Sequence, residues 1–422
     1  MKGVLAMILA GGRGRRMGIL CRERAKPALP FAGRFRVIDF CLSNCVHSGI
    51  QDIAILVDYQ RSKLASYLTD GVWLQPTDSL NLRILAPKLG SYRGTADAVY
   101  QHIHHIEQCG ADLILILAAD HIYNIDYSGM LNFHCEAGAD VTVGVTSVPI
   151  VEAHRFGITS TDVKGRIVDF VEKPEIPQSN LASMGIYVFN KQALVERLRE
   201  DAAQVSSPHD FGHAIIPNTI KNDKVFAYRF NGYWRDIGNI RAYYRANMEL
   251  TGQTPLFRLD DNWPVFARKD NTIPPKISGE VRHSLISPGC VIKGQVESSV
   301  LSPGVWVEEQ AVVKDSVLMA STFVGRHSVV DHCILDEEVS IGKFCYIGFN
   351  TGSVPDDWDI TVVGKNTTVP SYTAIGRGCK VLPNAGLADF TTRAIPPGSI
   401  VSPRTMTPLI NKWERRYMTP IT

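Results

Sequence analysis

The sequence predicts an α/β protein in which a doubly wound, mostly parallel sheet precedes a left-handed parallel β-helix. Three observations carry that expectation. Up to about residue 250, short apolar runs alternate with helix-like segments, the pattern of a mostly parallel sheet covered by helices. Beyond about residue 275, an apolar residue recurs every six positions, the mark of stacked triangular coils. Between these regions, residues 251–276 carry Pro255, Pro264, Pro274 and Pro275 and read as an ordered linker. The expected units are 1–250, the linker 251–276, and a β-helix over 277–422.

Taken in order, Val4–Leu9 is a continuous apolar run, as in a buried parallel strand. Ile53–Val57 is a second short strand, and Ser62–Leu68 a helical stretch. Ala96–Cys109 reads as one helix. Leu113–Leu117 is an apolar strand ending at Ala118-Ala119-Asp120-His121, and Val141–Val148 and Gly185–Phe189 are further strands. In the second half, Leu301, Val307 and Val313 are followed by Leu318, Val324 and Val330, then by Leu335, Ile341 and Ile347, giving three repeats of 17 residues. Val363, Val369, Ile375 and Val381 extend the spacing. An ordinary sheet mimics two such hits, not nine at this regularity. Gly352–Asp359, with Pro355 and Trp358, interrupts the repeat as a loop, and Trp413–Thr422 reads as a solvated end.

The 422-residue length fits two or three domains with a large core. A net charge of +2 excludes broad nucleic-acid or membrane binding, so a basic cluster is a local device. Nine cysteines without a CxxC pair argue against a metal or disulfide framework, and Cys41 and Cys45 are expected as buried free thiols. No apolar run approaches membrane-spanning length. Val4–Ala10, followed by an arginine-rich loop, is too short for a secretory core. The cytoplasm is the expected compartment.

Gly11, Gly12 and Gly14 open a loop holding Arg13, Arg15, Arg16, Arg22, Arg24 and Lys26, with Glu23 the single acid among them. Glycines let backbone N–H groups approach a ligand, and a loop at a strand's carboxyl end is where open α/β sheets bind. Cations gathered there suit a polyphosphate. No Gly-Lys-Ser/Thr closes the loop, and Met17 stands where a third glycine would complete G-x-G-x-x-G. It is therefore neither a Walker loop nor a dinucleotide fingerprint. Taken alone, it is equally a tight turn with solvated arginines.

Asp120 follows an apolar strand, which puts its carboxylate at the sheet edge beside residues 11–16. Asp236, in Gly232-Tyr233-Trp234-Arg235-Asp236-Ile237-Gly238, is the second candidate. Two carboxylates plus phosphate oxygens suit Mg²⁺, although either aspartate alone reads as a cap or turn residue. Lys173, in Phe170-Val171-Glu172-Lys173-Pro174, stands at a strand end and alone is an exposed lysine.

Together these segments resemble the sugar nucleotidyltransferase family, most closely its ADP-glucose pyrophosphorylase branch. The matching stretches follow in order: Leu9–Gly14 with Arg24–Pro27, Arg36–Cys45, Arg93–Tyr100, Asp120–Tyr127, Phe156–Ile158, Phe170–Pro174, Ala182–Phe189, Asp210–Pro217, Tyr233–Gly238, Asn262–Pro264, and then the β-helix. The resemblance implies a Rossmann-like catalytic domain over 1–250 and a β-helix serving assembly and regulation. It implies Mg²⁺-dependent transfer of AMP from ATP to glucose 1-phosphate, giving ADP-glucose and pyrophosphate for glycogen- or starch-type storage.

By that resemblance, Gly11, Gly12 and Gly14 wrap the triphosphate, Arg16 and Lys26 neutralise it, and Gly94, Thr95 and Ala96 line the base. Asp120 and Asp236 anchor the metal, Asp120 counting with Arg16 and Lys26 as catalytic. Lys173 grips the sugar phosphate, with Tyr92, Gly157, Glu172 and Ser183 close by. His121 is expected to be structural. The implied partners are ATP, glucose 1-phosphate, a small anionic allosteric effector and three further copies in a homotetramer. Physical logic agrees, because one anion must attack another; metal and cations lower the repulsion, and most of the catalysis is positioning.

Several positions depart from the family pattern. Arg15 replaces Thr or Ser beside the triphosphate, Ala119 the small residue (commonly glycine) before the metal aspartate, and His213-Ala214 a Lys or Ser followed by an acid. These bear on turnover more than on reaction type. Ser91 stands where Trp is general, and Glu23 where a cation is frequent, in segments the family uses to sense effectors. Glu23 opposes an anionic activator, so weak or altered activation is expected. Three rival readings stay open: another nucleoside triphosphate or sugar 1-phosphate, a catalytically weak regulatory subunit, and an acyltransferase using His327 or His332 of the β-helix.

Overall fold

The computed structural model describes residues 3–69, 80–88, 90–259, 262–267, 273–350 and 360–404. The expected loop Gly352–Asp359 and the tail Trp413–Thr422 lie outside the described residues. Val4–Leu9 is strand β1, and its inner residues Leu5–Ile8 are fully buried, as a central parallel strand requires. A short antiparallel pair, β2 (Pro30–Phe31) and β3 (Phe35–Arg36), leads into helix α1 (Val37–His47). Cys41 and Cys45 are buried on that helix as free thiols. Strand β4 (Asp52–Leu56), helix α2 (Arg61–Thr69) and strand β5 (Asn81–Leu85) follow.

The single helix expected over Ala96–Cys109 is instead two, α3 (Thr95–Tyr100) and α4 (Ile103–Gln108). His102 between them leaves helical geometry, with φ −111° and ψ 22°. Its ring turns inward, where Nε2 hydrogen-bonds the Tyr92 hydroxyl at 2.9 Å. A buried hydrogen bond has overridden a continuous helical pattern.

Next come β6 (Leu113–Ala118), β7 (His121–Tyr123), α5 (Tyr127–Glu136), β8 (Val141–Ser147) and α6 (Ile150–Ala153). The hairpin β9 (Gly157–Thr161) and β10 (Ile167–Glu172) precedes the long strand β11 (Leu181–Asn190) and helix α7 (Lys191–Ala203). One π-helical turn over Phe211–Ile215 runs into α8 (Ile216–Asn222), followed by β12 (Val225–Arg229), β13 (Trp234–Asp236) and α9 (Ile240–Met248).

Nine of these strands form one mixed sheet in the order β10-β9-β11-β6-β1-β4-β5, with β8 beside β11 and β12 beside β8. Strands β6, β1, β4 and β5 are parallel, whereas β11 runs antiparallel to β6 and β8. The chain steps from β1 out to β4 and β5, then returns to β6 on the other side. The carboxyl ends of β1 and β6 therefore flank a topological switch point, the crevice where such sheets take ligands. Both the glycine loop and Asp120 leave the sheet there.

Residues 262–267 lie along α1: Trp263 Nε1 donates to Asn44 Oδ1 at 2.9 Å, and Phe266 N donates to Ser43 Oγ at 2.8 Å. From Lys276 onward the chain winds into three parallel sheets of six, seven and seven strands, the walls of a β-helix. All nine apolar residues of the 17-residue triplets are buried, as are Val363, Val369, Ile375 and Val381. The corners were not legible. Gln310, His327, Phe344 and Tyr372 adopt left-handed backbone angles, with φ between 54° and 62°, a region costly for side chains other than glycine, asparagine or aspartate. Stacking offsets part of that cost: Phe344 lies 4.5 Å from His327 and 5.2 Å from Tyr372, centroid to centroid.

The two halves share one apolar cluster. Met17, Leu20, Phe31 and Tyr243 pack with Val317, Met319, Ile334 and Leu382 of the β-helix. Among the described residues, no helix is long and apolar enough to cross a membrane.

Candidate active site

Gly14 turns the chain with φ +60°, and a Cβ there would sit 2.9 Å from Cys21 Sγ, so only glycine fits. A short 3-10 stretch, Arg15–Cys21, follows and leaves Arg15 and Arg16 exposed beside the crevice. Lys26 begins another 3-10 turn, Lys26–Ala28, and is buried. Its Nζ lies 2.7 Å from Asp120 Oδ2 and 3.7 Å from Asp236 Oδ1.

Register brings the second aspartate to this place. Strand β13 pairs antiparallel with β7, setting Asp236 opposite His121, the residue after Asp120. Nε2 of His121 is 3.5 Å from Asp120 Oδ1 and 3.9 Å from Asp236 Oδ1. One donor atom each from Asp120, His121 and Asp236 lie within 4.8 Å of one another. His121, expected to be structural, is thus part of the acidic cluster, although its Nδ1 is buried without a partner. Arg155, after α6, reaches within 3.9 Å of Asp236 Oδ2; nothing in its sequence surroundings marked it.

Charge balance follows from this crowding. Burial pushes the Asp120 carboxyl upward, but the Lys26 ammonium, His121 and Arg16 together hold it well below the usual carboxylate range. Burial pulls Lys26 down, and Asp120 with Asp236 more than reverse that. Both groups therefore stay charged near neutrality. Two carboxylate oxygens facing one crevice fit a divalent cation that completes its shell from phosphate oxygens.

A second group of expected residues gathers around β9–β11. Gly157 faces Glu172 across the β9–β10 ladder. Lys173, at φ 50°, follows β10, and its Nζ lies 2.5 Å from Glu172 Oε1. Ser183 is buried on β11 with its Oγ 3.4 Å from the Tyr187 hydroxyl. Tyr92, expected with the sugar-phosphate group, is placed beside the glycine loop. Its ring lies against Gly11, and its hydroxyl bonds His102. Gly94, Thr95 and Ala96 open α3 on the same side.

The departures also find places. Ala119 is fully buried, its N–H donating to Leu9 O at 3.3 Å. His213 is exposed and bonds Asp210 Oδ1 at 3.1 Å. His327 and His332 are engaged in packing, His332 Nδ1 lying 3.1 Å from the Tyr244 hydroxyl and His327 stacking on Phe344. Glu23 lines a cleft of about 190 Å³ between the domains with Arg36, Lys63, Tyr67 and Lys365.

Comparison with known proteins agrees with both halves. Residues 5–253 match the family described as nucleotidyl transferase, and residues 270–365 match the GlmU-like C-terminal hexapeptide family. The second half is accordingly a left-handed β-helix. The glucose-1-phosphate adenylyltransferase of Thermomicrobium roseum is 42% identical over 421 residues, covering 96% of this chain and 98% of its own length. That of Thermotoga neapolitana is 42% identical with 96% and 100% covered, and that of Acetivibrio thermocellus 40% identical with 92% and 95% covered. With nearly full length shared on both sides, this chain belongs to the glucose-1-phosphate adenylyltransferase family of nucleotidyl transferases.

Proposed function

We propose that the protein transfers AMP from ATP to glucose 1-phosphate, releasing pyrophosphate and forming ADP-glucose for storage-polymer synthesis. One observation carries the reading: the Lys26 ammonium lies 2.7 Å from Asp120 and 3.7 Å from Asp236, beside a glycine-rich, arginine-bearing loop at the sheet's switch point. Gly11, Gly12 and Gly14 offer backbone donors to the triphosphate, and Arg16 and Lys26 offset its charge. Gly94, Thr95 and Ala96 form the wall for the base, and Tyr92, beside Gly11, meets the sugar phosphate from the loop side. Lys173 grips the phosphate of the sugar, while Glu172, Gly157 and Ser183 face the hexose. The nucleophilic phosphate oxygen is then held in line with the α-phosphorus, and no covalent enzyme intermediate is needed. Asp120 and Asp236 would hold Mg²⁺, which would neutralise charge on the triphosphate.

We further infer that the cleft around Glu23, Arg36, Lys63, Glu337 and Lys365 takes a small phosphorylated effector, which Glu23 weakens by repulsion while Glu337 is held by Arg36 and Lys365. Assembly as a homotetramer is supported by exposed apolar side chains on the β-helix, among them Trp306, Phe323 and Tyr346.

The decisive assay is pyrophosphate release across five nucleoside triphosphates crossed with several sugar 1-phosphates. Selective release with ATP and glucose 1-phosphate is expected. Selectivity for another pair moves the chain to a sister activity, and nucleotide binding without release makes it a regulatory subunit.

A further inference from the structure

A buried histidine–aspartate pair lies outside the chemistry described so far. His209, only 3% exposed, follows Pro208 and holds a left-handed backbone at φ 51°. Its Nδ1 donates to Asp201 Oδ2 at 2.8 Å, at the end of α7, where Asp201 is 5% exposed. The other Asp201 oxygen accepts from the Ser207 hydroxyl, and Ser207 Oγ accepts from the His209 N–H at 3.0 Å. An uncommon backbone conformation persists only where its surroundings hold it. Here Asp201 and Ser207 do so.

What this anchor holds is a strap, residues 207–213, that touches both substrate walls. On the nucleotide side, the His209 carbonyl accepts from Ala96 N at 2.9 Å and Asp97 N at 3.2 Å, satisfying the first turn of α3. A Cβ on Gly94 would sit 2.3 Å from that oxygen, so the approach requires glycine. Thr95 Oγ1 donates to Asp210 Oδ2 at 2.8 Å and accepts from Phe211 N at 2.9 Å. On the sugar side, a Cβ on Gly212 would sit 2.5 Å from Glu172 Oε2, and Phe211 stacks on Tyr187, the hydroxyl partner of Ser183, at 5.6 Å. The two walls are thus tied to one short segment.

We propose that His209 is a positioning residue: anchored by Asp201, it fixes strap 207–213 and thereby sets the spacing between the nucleotide wall at Gly94–Ala96 and the sugar-phosphate wall at Glu172–Ser183. The inference rests on the proposed function. It predicts a coupled effect, because small displacements of one wall relative to the other degrade in-line attack.

Steady-state pyrophosphate release measured with each substrate varied is the test. His209→Ala is expected to raise KM for ATP and for glucose 1-phosphate together, roughly tenfold each, with a fall in kcat. His209→Asn retains a side-chain N–H for Asp201 and tolerates the left-handed backbone, so it is expected to return both KM values to within roughly threefold of the wild type. A rise confined to one substrate, or a lowered melting temperature with both KM values unchanged, overturns the proposal. So does an asparagine variant as poor as the alanine one. Should His209→Ala not fold, Asp201→Asn weakens the same anchor and must show the paired rise. Absence of release from the wild type overturns the functional reading and this inference with it. Normal wild-type release with unpaired effects overturns this inference alone.

Discussion

Arg24 Nη2 lies 2.8 Å from Asp336 Oδ1, and this buried pair joins the arginine-rich loop to the β-helix two residues before Lys26. Glu337 adds a second carboxylate at 3.2 Å from Arg24 and also engages Arg36 and Lys365. Removing Asp336 takes from Arg24 its shorter and more buried partner and leaves Glu337 as its remaining carboxylate. Asp336→Ala is therefore expected to lower unfolding stability by about 1–3 kcal/mol, less than for a fully unpaired buried charge. Urea titration of the whole chain measures it, and a loss below about 1 kcal/mol would show that the pair is not structural.

Asp120 and Asp236 face the same crevice from the paired strands β7 and β13, 116 residues apart in the chain. Replacing either by Asn keeps shape and removes charge. Each variant is expected to lose at least ~100-fold in kcat while remaining folded. Stopped pyrophosphate-release assays at saturating substrate decide the matter; an unchanged rate removes that aspartate from the mechanism.

His102 gives a pH prediction. Burial, with repulsion from Lys88 and His105, lowers it from 6.5 to about 4. Between those values the unfolded chain binds a proton that the folded chain refuses, so stability falls as pH drops through that window. His102→Gln can still bond Tyr92 and does not titrate. The stability difference between pH 7 and pH 4.5 should shrink in that variant by about 2 kcal/mol, allowing for screening. Equal pH slopes in both proteins would refute this.

Glu23 sits in the inter-domain cleft, where Asn384 Nδ2 lies 3.4 Å from its carboxylate. Turning it to lysine removes repulsion and adds attraction for a phosphorylated effector. Titration with fructose 1,6-bisphosphate, fructose 6-phosphate and pyruvate is expected to show weak stimulation of the wild type and at least roughly tenfold tighter activation of Glu23→Lys. Strong stimulation of the wild type by the bisphosphate would contradict the role given to Glu23.

Periodicity made the β-helix legible, because its apolar residues must point inward at a fixed interval, and Leu301, Val307 and Val313 do so in the folded chain. Its corners obey no such rule. Left-handed angles at His327, Phe344 and Tyr372 depend on rings stacked from neighbouring coils, which a single strand of letters does not display. Asp120 was recognisable from the strand before it, whereas the arrival of Asp236 beside it arises from the register between β7 and β13, and the approach of Arg155 to Asp236 from the position of a short helix. Tyr92 shows the limit plainly: its bond to His102, which sets its ring beside Gly11, depends on a break between two helices that the residue pattern did not display.

Strand β13 contributes Asp236 and is made after every strand of the main sheet. A polypeptide still emerging from the ribosome and ending before Trp234 already holds the glycine loop, Lys26 and Asp120, yet lacks one of the two carboxylates proposed to hold the cation. In chain order, the proposed cation-binding pair is thus completed only near the end of the nucleotidyl transferase half.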